Sequence, residues 1–220
     1  MTDFEKVKNY YRHFDEKNRL QNDNSGKLEF LMTMRILEKK LPHLQKTEEA
    51  EGADGAEGVE GAVLNEVSIL DLGGGAGAYS FPLAKKGGKI FASFIPHLSS
   101  SISLVQRFCW SPDQVDINTL EECFESGRFR NLSDKGFQEG FYPASEEIEN
   151  LFSANGFEKI LLRSIRGFGY EKEDVIFKFK NKNVFSKILD LIDSTAEEKS
   201  IIEMCGHAMY VGRKSVLPVI

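Results

Sequence analysis

Ile69-Leu70-Asp71-Leu72-Gly73-Gly74-Gly75-Ala76-Gly77-Ala78 is the stretch on which the reading of the fold turns. It closes the apolar run 67–72, and a short apolar run that stops at glycines predicts a strand buried on both faces of a parallel sheet. A helix is expected over 78–86, Gly87-Gly88 breaks it, and 89–95 predicts the next strand. Strand, short helix and strand make a βαβ unit with a right-handed crossover. Outward from there the expected order is helical insert, helix, strand, strand, two helices and a closing strand, an α/β organisation.

Glycines between a buried strand and a helix let a ligand approach the backbone closely. A phosphate-cradling loop needs Gly-Lys-Ser/Thr at its end, which is absent. Gly73, Gly75 and Ala78 satisfy the spacing of a dinucleotide site, so the glycines alone leave that chemistry open. Asp71 tips the balance. A carboxylate two residues before the first glycine suits a cationic ammonium or sulfonium and repels a nearby pyrophosphate.

The pattern Asp-x-Gly-x-Gly-x-Gly resembles the end of the first strand in class I S-adenosylmethionine-dependent methyltransferases. Further blocks are similar to that family, and most to its small-molecule type with an N-terminal helical lid. They are "NYYRHFDEKNRLQNDNSGKLEFLMTMRILEKKLP", "GGKIFASFIPHLSS", "GFYPASEEIENLFSANGFEKI" and "HAMYVGRK". The resemblance covers most of the chain outside residues 46–62. It implies a Rossmann-like methyltransferase fold: a truncated, mostly parallel sheet with an antiparallel last strand, plus N-terminal helices. It also implies S-adenosyl-L-methionine as cofactor, held by Asp71, Gly73, Gly74, Gly75 and Gly77, with Tyr11 of the lid over it, and a small-molecule methyl acceptor.

One departure stands out. In the family the segment resembling "LAKKG" leads into second, third and fourth strands before the "GG" turn of the fifth, whereas here Lys86-Gly87 runs straight into Gly88-Lys89. At about 30 residues per βαβ unit, roughly 60–80 residues are absent. The acid that holds the ribose hydroxyls goes with them, a loss of charge-assisted hydrogen bonds of about 1.5–3 kcal/mol each. The first strand also loses partners on its flanks, which predicts marginal stability or a homodimer through exposed sheet edges.

Residues 1–45 are read as the helical lid, with Phe4, Val7, Tyr10, Tyr11 and Phe14 on one face of a helix over 4–19 and a second helix over 27–41. Residues 46–66 form a linker; its stretch 46–62 is acidic and Gly/Ala-rich and buries too little apolar surface to offset ordering entropy. Residues 67–220 form the core, with a helical and loop insert at about 97–142. Within it, helices are expected over 98–109 and 117–126, loop through Gly140, then a helix N-capped by Ser145 and ended at Asn155-Gly156. Strands are expected over 157–165 and 174–180, helices over 183–193 and 196–204, and a last strand over 207–213.

Ser93 and His97 fall at and just past a strand's C-terminal end, where open α/β sheets bind ligands, and are the candidate substrate residues. His97 is read as either a base or a structural histidine; His207 reads as structural. Phe108 and Trp110 fit an apolar substrate cap or plain burial. No spacing supports a Ser/His/Asp or Cys/His nucleophile. Three cysteines, odd in number and far apart, predict neither a disulfide framework nor a metal site.

Apolar residues at 41 % indicate a globular chain, and a net charge of −6 argues against a nucleic-acid partner. The charged start and the short apolar runs predict neither signal peptide nor membrane span, hence a cytoplasmic protein. Three readings stay open: methyl transfer to a small molecule, a non-catalytic remnant or shortened isoform acting as an interaction protein, and an NAD(P)-dependent oxidoreductase.

Overall fold

The computed structural model of the chain describes Glu5 and residues 22–40, 89–110, 116–130 and 139–214. The expected helix over 4–19 apart from Glu5, the linker, the strand over 67–72, the glycine loop and the helix over 78–86 lie outside the described residues.

Helix α1 (Asn24–Lys40) begins where Asp23 Oδ1 accepts the Gly26 N–H at 2.6 Å, filling one of the donors a helix start leaves open. It buries Leu28, Met32 and Ile36, spaced four apart on one face. Strand β1 (Lys89–Phe94) follows, then α2 (His97–Trp110) and α3 (Ile117–Ser126), the last capped by Asp116 and ended by Gly127. The segment expected as loop contains two short strands, β2 (Arg128–Arg130) and β3 (Glu139–Phe141), paired antiparallel.

Next come α4 (Ser145–Ala154) and β4 (Phe157–Ser164). Ser145 is the first helical residue rather than the cap; Ala144 caps, with its N–H donated to Glu147 Oε2 at 2.7 Å. The Ser145 hydroxyl is engaged by Glu203 instead, a long-range partner that outcompetes the local one. After a 3₁₀ turn (Gly167–Gly169) the chain forms α5 (Glu173–Ile176), where a strand was expected. The alternation of Val175, Phe177 and Phe179 is misleading, because Val175 and Phe179 are exposed and Phe177 N–H bonds to Glu173 O at 2.9 Å, a helical link. Helices α6 (Lys182–Thr195) and α7 (Lys199–Met204) lead to β5 (Ala208–Lys214).

The expected mostly parallel, Rossmann-like sheet is overturned. The three-stranded sheet has the order β1-β5-β4, and both pairings are antiparallel, as is the β2-β3 pair. The cause is the position of β5. Residues Ala208–Gly212 are all buried, so this strand takes the centre, and its direction opposes both neighbours. Since both flank β5 antiparallel, β1 and β4 run in the same sense without touching.

Side chains alternate across this sheet into two cores. Leu161, Met209 and Val211 face α1, α5 and α6, joining Leu28, Met32, Ile36, Ile176, Leu189 and Ile192. Ile90, Phe157, Leu162, Ala208 and Tyr210 face α4 and α7, joining Phe152 and Ile202. Phe157 and Leu162 are five residues apart yet share a face, which strict alternation forbids. A register shift between Lys159 and Leu161 supplies the extra residue that corrects the phase. A satellite cluster of Leu104 and Cys123, with Phe108, Leu120, Phe129 and Tyr142, joins α2 and α3 to the hairpin.

Candidate functional site

The register sets Phe94 and Ser164 on either side of Ala208, so β1 and β4 end where β5 begins. The segments leaving and entering these ends enclose a cavity of about 160 Å³. Ile95 comes from the end of β1, Arg166 from the end of β4, and Gly206 and His207 from the approach to β5. Helix α2 contributes Ser99, Ser100, Ser103 and Arg107 to the lining, which Tyr142 and Tyr170 join.

The wall is polar and held in place. Ser99 Oγ accepts the Gly206 N–H at 3.0 Å. Ser103 Oγ donates to Ser99 O at 3.1 Å and stands 3.1 Å from the Tyr170 hydroxyl. Arg166 is 7 % exposed; its Nη1 donates to Glu173 Oε1 at 2.9 Å, and its Cζ lies 4.6 Å from the Tyr170 ring centre. Glu173 is itself buried, so the two charges compensate one another away from water. Gly206 is required for this packing. Its φ is +70°, and a Cβ there would stand 2.7 Å from both Arg166 Nη2 and the Tyr170 ring. Burial pushes the Tyr142 phenol up, against a hydrogen bond from Ser100 and the charge of Arg107, so it is a neutral hydroxyl at physiological pH.

Of the residues expected to bind the cofactor, Asp71, Gly73, Gly74, Gly75, Gly77 and Tyr11 all lie outside the described residues. Ser93 is exposed on β1, opposite Met209. His97 opens α2 and its Nε2 lies 2.5 Å from Cys123 O; a carbonyl only accepts, so Nε2 carries the proton and the ring ties α2 to α3. Neither Ser93 nor His97 lines the cavity. Phe108 packs in the satellite cluster, while Trp110 is 81 % exposed.

The cavity's own residues were missed, although one signal was legible. Ser99, Ser100, Ser101 and Ser103 crowd one stretch of a helix that directly follows a strand. His207, read as structural, lines the cavity and holds Nδ1 3.2 Å from Glu29 Oε2. Burial pushes the thiols of Cys123 and Cys205 up, so neither is a thiolate nucleophile near neutral pH. Among the described residues no three His, Cys, Asp or Glu side chains gather as metal ligands would, and no helix is long and apolar enough to cross a membrane.

A larger cleft of about 520 Å³ is lined by the β2-β3 pair and Glu122 of α3. Its arginine and glutamate side chains are exposed, Arg130 and Glu139 pairing at 3.5 Å, and exposed pairs of this kind do not organise a site.

Compared with known proteins, the chain matches no family model and no curated protein.

Proposed function

We propose that the chain binds S-adenosyl-L-methionine and transfers its methyl group to a small molecule. The observation that carries this reading is Asp71, two residues ahead of the Gly73–Gly77 run at the end of an apolar stretch. The polar-walled cavity beyond the ends of β1 and β4 is a concave place for a small acceptor. At about 160 Å³ the cavity is below the roughly 300–1,000 Å³ of drug-sized ligand sites, so it suits an acceptor and not a nucleoside. Holding the donor therefore falls to the stretch from Asp71 to Gly77, whose carboxylate and bare backbone fit a cationic, adenosyl-bearing ligand. When bound, the cofactor supplies an electrophilic methyl on a cationic sulfur. The chain's own task is to hold the acceptor in line and keep water out, so no general base is required of it.

A second reading, a non-catalytic remnant, is favoured by the join of Lys86-Gly87 to Gly88-Lys89, where the family carries its ribose-binding acid. Calorimetry with S-adenosylhomocysteine separates the two. The expected result is binding in the micromolar range, weakened about tenfold or more by Asp71→Asn through loss of a charge-assisted contact. A folded chain that binds none of it would leave the remnant reading standing, and binding of a nicotinamide dinucleotide instead would point to an oxidoreductase.

We further propose that copies of the chain pair through exposed sheet edges. Among the described residues β1 and β4 each have one unpaired edge, which supports this pairing. The midpoint of thermal unfolding is then expected to rise with protein concentration. A midpoint independent of concentration, with a monomer mass by light scattering, counts against it.

A further inference from the structure

The cavity's polar wall carries two guanidinium groups beside the hydroxyls of Ser99, Ser100, Ser103, Tyr142 and Tyr170. Its two cations, Arg107 and Arg166, face no acidic lining residue; Glu173 meets Arg166 from outside the lining. Among the described residues Arg166 Nε is buried without a hydrogen-bond partner, although Nη1 of the same group is satisfied twice, by Glu173 and Ser25. An unmet donor on a buried guanidinium is costly, and an acceptor that reached it would remove that cost. Ser99 Oγ accepts the Gly206 N–H, and its own hydrogen is still there to donate. Arg107, exposed at the end of α2, adds a positive charge at the mouth.

Two guanidinium groups and no acidic residue in the lining favour an anionic group that accepts hydrogen bonds. A carboxylate is such a group, with two oxygens and about four lone-pair sites, and it takes a guanidinium edge in plane. The volume sets the rest of the ligand at a few carbon atoms. Ile95, Leu104 and Phe129, all cavity lining, are suited to that short apolar remainder.

We propose that this cavity is the seat of a small organic monocarboxylate; under the methyl-transfer reading, on which that role depends, one carboxylate oxygen is the methyl acceptor, an O–CH3 bond forming as the methyl–sulfur bond of the sulfonium breaks and its electron pair stays on sulfur, which gives a methyl ester and S-adenosylhomocysteine. Arg166 Nε–H and the Ser99 hydroxyl hold the carboxylate, and Arg107 draws it in.

The test titrates the full chain with sodium propionate, propionamide and inorganic phosphate, without cofactor, and follows binding by ligand-observed NMR. Propionate is expected to saturate in the millimolar range or tighter, with the uncharged amide at least tenfold weaker and phosphate unable to compete. Arg166→Lys keeps the charge and the pairing with Glu173 but removes Nε, and should weaken propionate about tenfold or more. Ser99→Ala and Arg107→Gln should each weaken it severalfold with an unchanged circular-dichroism spectrum, and they carry the test if Arg166→Lys fails to fold. The proposal is overturned if the amide binds as well as the acid, if phosphate binds in its place, if nothing saturates, or if the substitutions leave propionate affinity unchanged. Asp71→Asn should leave propionate binding intact, so the cavity and the cofactor reading fail separately.

Discussion

Asp193→Asn is expected to lower the stability of the chain by about 3–5 kcal/mol, the cost of leaving a buried partner charge uncompensated. Arg163 is 4 % exposed, and its Nη2 lies 2.7 Å from Asp193 Oδ1 and donates to the Asp193 carbonyl at 3.2 Å. Lys39 of α1 reaches the same carboxylate, and Arg35 pairs with Asp190 one turn earlier at 3.0 Å. Asp193 thus clamps β4, α6 and α1 together. A shift in the urea midpoint measures the loss, and the double variant Arg163→Met with Asp193→Leu should recover most of it, since an apolar pair of similar volume needs no desolvation.

The same carboxylate predicts the acid limb of the stability curve. Burial alone pushes the Asp193 pKa up, but the hydrogen bond from Lys39 and the charge of Arg163 outweigh it and hold the group below the usual carboxylate range. A depressed pKa in the folded state adds stability that is fully present above the unfolded value, about 3.9, and is lost as pH falls through the folded value. The difference between the native chain and Asp193→Asn should be flat above about pH 5 and shrink below about pH 4. A difference that grows on acidification contradicts the clamp.

Tyr210→Ala is expected to cost a further order of about 3–5 kcal/mol on its own, as large aromatic truncations in a core do. Tyr210 is the middle of the central strand, 1 % exposed, paired with Ala92 on one side and Leu162 on the other. Its ring stacks on Phe152 of α4 with centres 4.4 Å apart and planes 9° from parallel. It also leans along the strand over Gly212, where a Cβ would stand 2.7 Å from the ring. Loss of the ring therefore opens the core between sheet and α4, whereas Tyr210→Phe, which keeps it, should change stability by no more than about 1 kcal/mol. Calorimetric melting of both variants distinguishes lost packing from a lost hydroxyl.

Much of the architecture was legible because its causes are local. The four-residue spacing of Leu28, Met32 and Ile36 marks α1, Asp116 and Gly127 bracket α3, and Gly156 ends the turn after α4 with φ +73°. These signals depend on neighbours one or two turns away, which the chain itself supplies. The error at 174–180 has the opposite origin. Its period-two apolar pattern is a strand's, but core space exists only for Ile176 and, in part, Phe177, and local hydrogen bonds close a helical turn.

The candidate site divides in the same way. The chain's order alone determined that Asp71 precedes a run of glycines, that a helix follows β1, and that this helix is rich in serine. Only the tertiary structure decided that β5 lies between β1 and β4, and with it that Arg166 and Gly206 meet Ser99 beside a common cavity. Ser99 and Gly206 are 107 residues apart. Pairing across such a distance is selected by burial of both sheet faces at once, a property of the assembled core that no single segment carries.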